Sequence, residues 1–248
     1  MQNLIALTLR ELRAFWFSPV AYVVGALFLV LQGFVFWLLA SVLNDPASQA
    51  SFSIGQAFFG PTFFYLTSVL ITVPFLTMRT FSEEKRTGSI ELLLTAPVSD
   101  MEVVLAKFLG AWIAYILLWL MTIGYFLYLR TMVSFDWAPV LTGYLGTWLL
   151  GGVFIAIGIL TSSLTRNQVI AAAFSFVLLL LLCSIGMLEF FFRDPEAAKL
   201  VRYVSLLNHL EDFSKGLLDT RPIIYYLSLT AIALFFTGRV LNSPRWRA

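Results

Sequence analysis

Residues Trp137–Thr165 read WAPVLTGYLGTWLLGGVFIAIGILTSSLT, 29 residues without one Asp, Glu, Lys or Arg. A helix needs about 20 mostly apolar residues to cross a hydrocarbon core roughly 30 Å thick, so this stretch is long enough to span a bilayer. Five more uncharged stretches surround it, at 14–43, 46–78, 108–129, 167–188 and 222–238. With polar ends trimmed, the six predict spans at about 19–43, 60–78, 106–129, 138–161, 168–191 and 223–241. Continuous apolar runs such as Phe176–Cys183 lack the two-residue alternation of an outer-membrane strand. Over the 248 residues, 60% are hydrophobic and 12% charged, with a mean hydropathy of +0.88, which places the chain among all-α membrane proteins. It reads as a single transmembrane domain, 1–248.

The charges orient these spans. With both termini in the cytosol, ten Lys and Arg fall on the cytosolic side and six on the other, five of those six in the loop before the last span. The positive-inside rule therefore favours cytosolic termini. A net charge of +2 is too nearly balanced to argue for a nucleic-acid partner. The opening residues, 1–17, read as an interfacial helix rather than a cleaved signal peptide, because they run straight into a full span. Leu4, Ile5, Leu9, Leu12, Phe15 and Trp16 fall on one side of it, and Gln2, Asn3, Arg10 and Arg13 on the other. Ser18-Pro19 marks the bend into the first span.

Several chemistries are disfavoured. The span interiors carry no ionisable residue, although a coupled-ion carrier or proton pump keeps such groups despite a cost of at least about 2.5 kcal/mol each. Gln32, Tyr65, Tyr115 and the Ser and Thr residues are the polar remainder, suited to bonds within and across helices. Gly151, Gly152, Ala156 and Gly158 would allow close helix approach. One Cys, Cys183, and one His, His209, speak against a disulfide, a metal centre or a hydrolytic triad. None of the four Lys residues follows a Gly, so no P-loop can be written, and no catalytic motif of this chain is expected to hydrolyse ATP. Spans rich in Phe suit lipids, drugs, peptides and plain helix packing alike, so composition assigns no substrate-binding residues.

Residues 79–107, between the second and third spans, are too long for a tight turn and dense with helix signals. Thr80 and Glu83 have capping-box spacing, as do Ser99 and Glu102. Between them lies EEKRTGSIELLLTAP, residues 83–97. Gly88 predicts a break, Ser89 a cap for a second short helix, and Pro97 its end. In the outer loop, 192–222, Leu200, Tyr203, Val204 and Leu207 recur at helical spacing and predict one or two short amphipathic helices.

The pattern Glu83-Glu84, Gly88-Ser89, Glu91-Leu92-Leu93-Leu94, Pro97-Val98-Ser99, followed by an apolar run with Lys107, resembles the intracellular loop of permease subunits of type-2 ABC exporters. Members often have Thr where this chain has Ser89, which keeps the capping hydroxyl. The resemblance extends over the whole chain. The stretch LLNHLEDFSKGLLD, 206–219, with Tyr225-Tyr226-Leu227 after it, looks most like the gliding-motility-associated branch, whose relatives include permeases of nitrous-oxide-reductase maturation. Those relatives often have a Pro near Leu207, and this chain has none there.

The resemblance, and nothing in the spacing, implies an assembly and a role for each part. The loop between spans 2 and 3 would contain a coupling helix, with Glu83, Glu84, Lys85, Arg86, Gly88, Ser89 and Glu91 contacting an ABC ATP-binding subunit. Two copies of that subunit, holding ATP and Mg, would serve two permease chains, as a homodimer or heterodimer, in a bacterial cytoplasmic membrane. The outer loop would dip into the outer leaflet and help close the export path. The second reading is a non-transporting scaffold or mechanotransmission element for an auxiliary extracytoplasmic protein.

Overall fold

The computed structural model describes residues 2–43, 53–89, 99–190 and 195–242, and the regular structure within them is helical. Helix α1, Gln2–Trp16, turns at Phe17 and Ser18 into α2, Pro19–Leu43, with the proline at the first helical position, where its missing N–H costs nothing. A short α3, Ile54–Phe59, precedes α4, Phe63–Thr77, capped by the Thr62 hydroxyl on Tyr65 N at 3.3 Å. Helix α5 covers Ser82–Thr87. Then come α6, Asp100–Met121, α7, Ile123–Leu129, α8, Ala138–Leu164, and α9, Gln168–Ser184, which tightens into a 3₁₀ segment at Ile185–Phe190. Helices α10, Pro195–Val204, and α11, Leu206–Ser214, precede α12, Thr220–Leu241.

Among the described residues, five helical stretches are long and apolar enough to cross a membrane: α2, α4 taken on through α5, α6 with α7, α8, and α12. The expected second span starts three residues late, at Phe63, because Gly60-Pro61 ends α3. The third starts early, at Asp100, where the predicted Ser99–Glu102 capping box forms in both directions at 3.2 and 2.9 Å. It is also broken at Thr122, whose hydroxyl donates back to the Trp119 carbonyl at 2.6 Å and meets the Tyr144 hydroxyl at 2.6 Å. The fifth expected span, 168–191, contains a 17-residue α-helix, shorter than foreseen because the chain tightens at Ile185.

Helix α8 is the centre of the bundle. Its glycines admit side chains from every side: an added Cβ would lie 2.5 Å from the Phe59 ring at Gly143, 2.7 Å from Phe213 at Gly146, 2.1 Å from Tyr115 at Gly151 and 2.2 Å from Thr77 Oγ1 at Gly158. Polar side chains bridge helices as membrane packing requires: Gln32 Nε2 donates to Ser68 Oγ at 3.0 Å, Tyr65 OH to Thr147 Oγ1 at 3.1 Å, and Trp112 Nε1 to the Trp148 carbonyl at 2.8 Å. Around this centre α2, α9 and α12 turn Trp37, Val30, Val177, Leu181, Ile224 and Phe236 outward, an apolar belt suited to hydrocarbon.

The outer segment forms two helices, as the spacing predicts, with different environments. In α11, Leu206, Leu210 and Phe213 are buried against the bundle, and Thr142 Oγ1 donates to the Phe213 carbonyl at 2.7 Å. In α10, Leu200, Tyr203 and Val204 remain exposed. His209 bonds through Nε2 to the Tyr203 carbonyl at 3.0 Å, its ring between Tyr203 and Tyr225.

Replacing Gly151 by Ala should destabilise the purified chain by about 1–3 kcal/mol through overpacking. Gly152→Ala, whose Cβ would meet Trp112 Nε1 at an ordinary 3.4 Å, should be nearly neutral. Thermal unfolding in detergent checks the contrast, and equal shifts for the two would refute the packing argument.

Candidate functional site

The segment between α4 and α6 begins where α4 runs out of apolar residues. Thr80, expected to cap the next helix, instead turns its hydroxyl back to the Thr77 carbonyl at 2.8 Å, and Phe81 holds the N-cap position without a side-chain cap. The cap comes from another span. Ser162 Oγ, in the last turn of α8, accepts from the amides of Phe81 at 3.2 Å and Ser82 at 3.1 Å while donating to the Met78 carbonyl at 3.1 Å. The Thr80–Glu83 capping box is therefore corrected: local spacing allowed it, but the helix starts one residue later, with Phe81 at the N-cap, the Thr80 amide bonds to the Thr77 carbonyl, and a fully buried hydroxyl from α8 takes the amides of Phe81 and Ser82.

At the other end the predicted break forms. Gly88 caps α5 with φ of +75°, a left-handed conformation that glycine adopts without strain. Thr87 Oγ1 lies 3.0 Å from the Glu83 carbonyl and 2.9 Å from Ser89 Oγ. The second short helix expected after Ser89, with Glu91 and the Pro97 stop, lies outside the described residues.

The charged side chains of α5 divide into two groups. Glu84 and Lys85 turn into the protein. Lys107, two turns into α6 and 2% exposed, lies with Nζ 2.7 Å from Glu84 Oε1, 3.4 Å from Glu11 Oε1 of α1 and 5.1 Å from the Phe81 ring centroid. Arg10 completes the cluster, 2.8 Å from Glu11 and 3.9 Å from Glu84. An ammonium withdrawn from water costs several kcal/mol, so two carboxylates and an aromatic face are what make its burial tolerable. Gly110 lets α1 come this close, since a Cβ there would sit 2.9 Å from Glu11 Cβ.

Lys85 is buried on the other side, where Nζ donates to the Ser163 carbonyl. That carbonyl belongs to the last turn of α8, whose unpaired oxygens form the negative end of the helix. Burial first, and the nearby Arg166 charge second, pulls the Lys85 ammonium down from 10.5 to about 8.

The second group faces water. Arg86 pairs with Glu83 at 2.6 Å and is exposed, as are Thr87, Gly88 and Ser89. Beneath them Arg79 bridges Ser18 at 3.0 Å and Gln168 at 3.2 Å, joining the start of α2, the end of α4 and the start of α9. Among the described residues no group of three or more His, Cys, Asp or Glu has the arrangement of a metal site.

Four residues of this cluster escape a reading by spacing: Glu11, Lys107, Ser162 and Ser163. Glu11 and Lys107 are opposite charges on two helices whose approach depends on Gly110, and no periodicity connects them. The available signal was weak: an acidic residue within the interfacial helix, and a lysine inside an otherwise apolar run. In the purified chain, Glu84→Gln and Lys107→Met should each cost about 1–3 kcal/mol, and the double variant should lose less than the sum by at least about 1 kcal/mol. Strict additivity in unfolding measurements would show that the pair is not coupled.

No curated protein matches the chain closely enough to count as a relative. A family model described as ABC-2 family transporter protein matches residues 43–237. The match runs from the end of α2 through most of α12 and takes in α5, Lys107 and the serines of α8, while Arg10 and Glu11 of α1 lie before it. With more than half of its length matched, the chain belongs to the ABC-2 family of transporter proteins.

Proposed function

We propose that this ABC-2 family member, a multi-pass permease component, exports its substrate across a bacterial cytoplasmic membrane using ATP hydrolysed, with Mg, by two copies of a partner ATPase. Two permease chains, alike or different, form the path. The resemblance of the 83–99 loop to type-2 ABC exporters supports the direction of transport and the subunit count, and the outer-loop resemblance supports the gliding-motility and nitrous-oxide-reductase branch.

The observation that carries the reading is the two-sided character of α5. Its inner side, Glu84 and Lys85, is tied to α1, α6 and α8; its outer side, Arg86, Thr87, Gly88 and Ser89, is exposed, with Glu83 at the boundary. A short element anchored to several helices and free on one face is what a partner that closes on ATP would need in order to move them. In this reading Arg86–Ser89, with Glu83, meet the ATPase, and Glu84 and Lys85 pass its displacement to α1, α6 and α8 as one body. Glu91 belongs to the same proposed contact.

Six spans fit this arrangement. Seventeen residues of α9 extend about 26 Å and the six of the 3₁₀ segment about 12 Å more, together beyond the roughly 30 Å hydrocarbon core. Both termini and α5 then lie in the cytosol, and α10 and α11 lie outside.

Single cysteines at Arg86, Thr87 and Ser89 should crosslink to the ATPase in an assembled, ATP-hydrolysing complex. Gly88→Val, which forces a β-branched residue to φ of +75° at a cost of about 1–2 kcal/mol, should lower ATPase stimulation severalfold while insertion stays normal. Absence of crosslinks, together with unchanged stimulation in Gly88→Val, would contradict the coupling role.

Orientation has its own test. In a Cys183→Ser background, an impermeant thiol reagent applied to intact cells should label a cysteine at the exposed Glu196 and spare one at Thr87. The opposite pattern would invert the topology.

A further inference from the structure

Arg79, Arg86 and Arg166 come from three separate elements, the turn after α4, helix α5 and the turn between α8 and α9, and they line one groove of about 560 Å³. Side-chain contacts hold its walls in place. Arg79 Nε donates to Gln168 Oε1 at 3.2 Å, which seats that guanidinium on the first residue of α9, two residues from Arg166. Arg86, 2.6 Å from Glu83, forms the wall contributed by α5. All three arginines are exposed, so a solute can reach them.

The charge of the groove is unbalanced. Among its described lining residues Glu83 is the one carboxylate against three guanidinium groups, an excess of two positive charges. The N-terminus of α9 adds to the positive potential, but Asn167 Oδ1 already accepts from the Val169 amide at 2.9 Å, so side chains rather than the helix end have to hold a ligand. Arg166 also acts on Lys85, whose ammonium it helps to pull below its ordinary value, as crowded like charges do. Arg79 uses Nε and one terminal nitrogen on Gln168 and Ser18, and its other terminal nitrogen carries further N–H donors.

We propose that this groove binds inorganic phosphate or a phosphate monoester, held as the dianion by Arg79, Arg86 and Arg166. Three guanidinium groups on three elements suit a tetrahedral group with three terminal oxygens, whereas a planar carboxylate is satisfied by a single guanidinium fork. A dianion also matches the excess charge, and a phosphodiester, with half that charge, is held less tightly. The groove is bordered by Val169, where an exposed apolar face of α9 begins and continues through Ile170, Phe174 and Val177. Two sources therefore share the chemistry: a lipid monoester with its acyl chains along that face, and phosphate free in solution. Either would join the end of α4, α5 and the start of α9 through one ligand. The inference needs no ATPase, although Arg86 belongs to the proposed contact as well.

The delipidated full chain in detergent, at constant ionic strength and about pH 8, where a monoester is mostly dianionic, is titrated with inorganic phosphate and separately with phosphatidic acid, phosphatidylglycerol or phosphatidylcholine of identical acyl chains. Native mass spectrometry and thermal unfolding follow the binding. Saturation at about one phosphatidic acid per chain, about tenfold tighter than either diester lipid and without an effect of inorganic phosphate, identifies a lipid monoester. Saturation by inorganic phosphate, with or without the lipid, identifies the soluble source. Arg166→Gln should weaken binding by about tenfold, and Val169→Glu, which puts a carboxylate on the exposed rim, should abolish it and serves if Arg166→Gln fails to fold. Arg130→Gln, which removes an exposed arginine beside Trp137 and outside the groove, should change nothing. No saturable binding of phosphatidic acid or phosphate, equal retention of monoester and diester lipids without phosphate binding, or equal losses in Arg166→Gln and Arg130→Gln would overturn the proposal.

Discussion

A lysine ammonium 2% exposed must be balanced by fixed partners, and the end of the bundle where α1, α5 and α6 meet is arranged around that requirement. Lys107 enters on α6, and its partners arrive on two other helices, Glu84 on α5 and Glu11 on α1. None of the three helices can shift far without exposing a buried charge or stripping it of a counter-charge. Electrostatics therefore does here what hydrophobic packing does within the bilayer: it makes separate helices behave as one piece. The small residue that permits it, Gly110, is as necessary as the charges, because it lets the backbone of α1 close on α6.

Helix α8 links this junction to the rest. Near its N-terminus Thr142 holds the Phe213 carbonyl of α11, and in its last turn Ser162 caps α5 while Ser163 receives Lys85. Between them, close contacts at Gly143, Gly146, Gly151 and Gly158 pack the helix tightly against its neighbours. Helix α8, 27 residues long, thus connects α5 at one end with α11 at the other through close packing. Lys85 strengthens the connection by placing a cation at the negative end of α8.

Much of this architecture was legible in the residues. Uncharged runs locate the spans because the bilayer excludes charge, and Pro19, Ser99 and Gly88 mark their boundaries through local backbone chemistry that needs no tertiary partner. The misreadings fall where tertiary contacts compete with local ones. Thr80 had the right spacing for a cap and lost it to Ser162, eighty-odd residues away. Thr122 interrupts the third span inside a run that hydropathy reads as continuous, because its hydroxyl bonds to both its own helix and Tyr144. For the candidate site, spacing marks a segment but not its internal division. Glu83 to Ser89 read as one contact strip, whereas Glu84 and Lys85 are turned inward by partners on α1, α6 and α8.

If the Lys107 cluster joins α1 to α5, the two helices move together, and a distance measured through the ATP cycle tests this most directly. Spin labels at Arg13 and Thr87, both exposed, can be read by pulsed electron resonance in the assembled transporter with Cys183 replaced by Ser. The distance distribution between them should stay the same between nucleotide-free and ATP-trapped states, while that from Thr87 to a label at Glu196 shifts. A change in the Arg13–Thr87 distance as large as that in the Thr87–Glu196 distance would contradict the joint movement of α1 and α5.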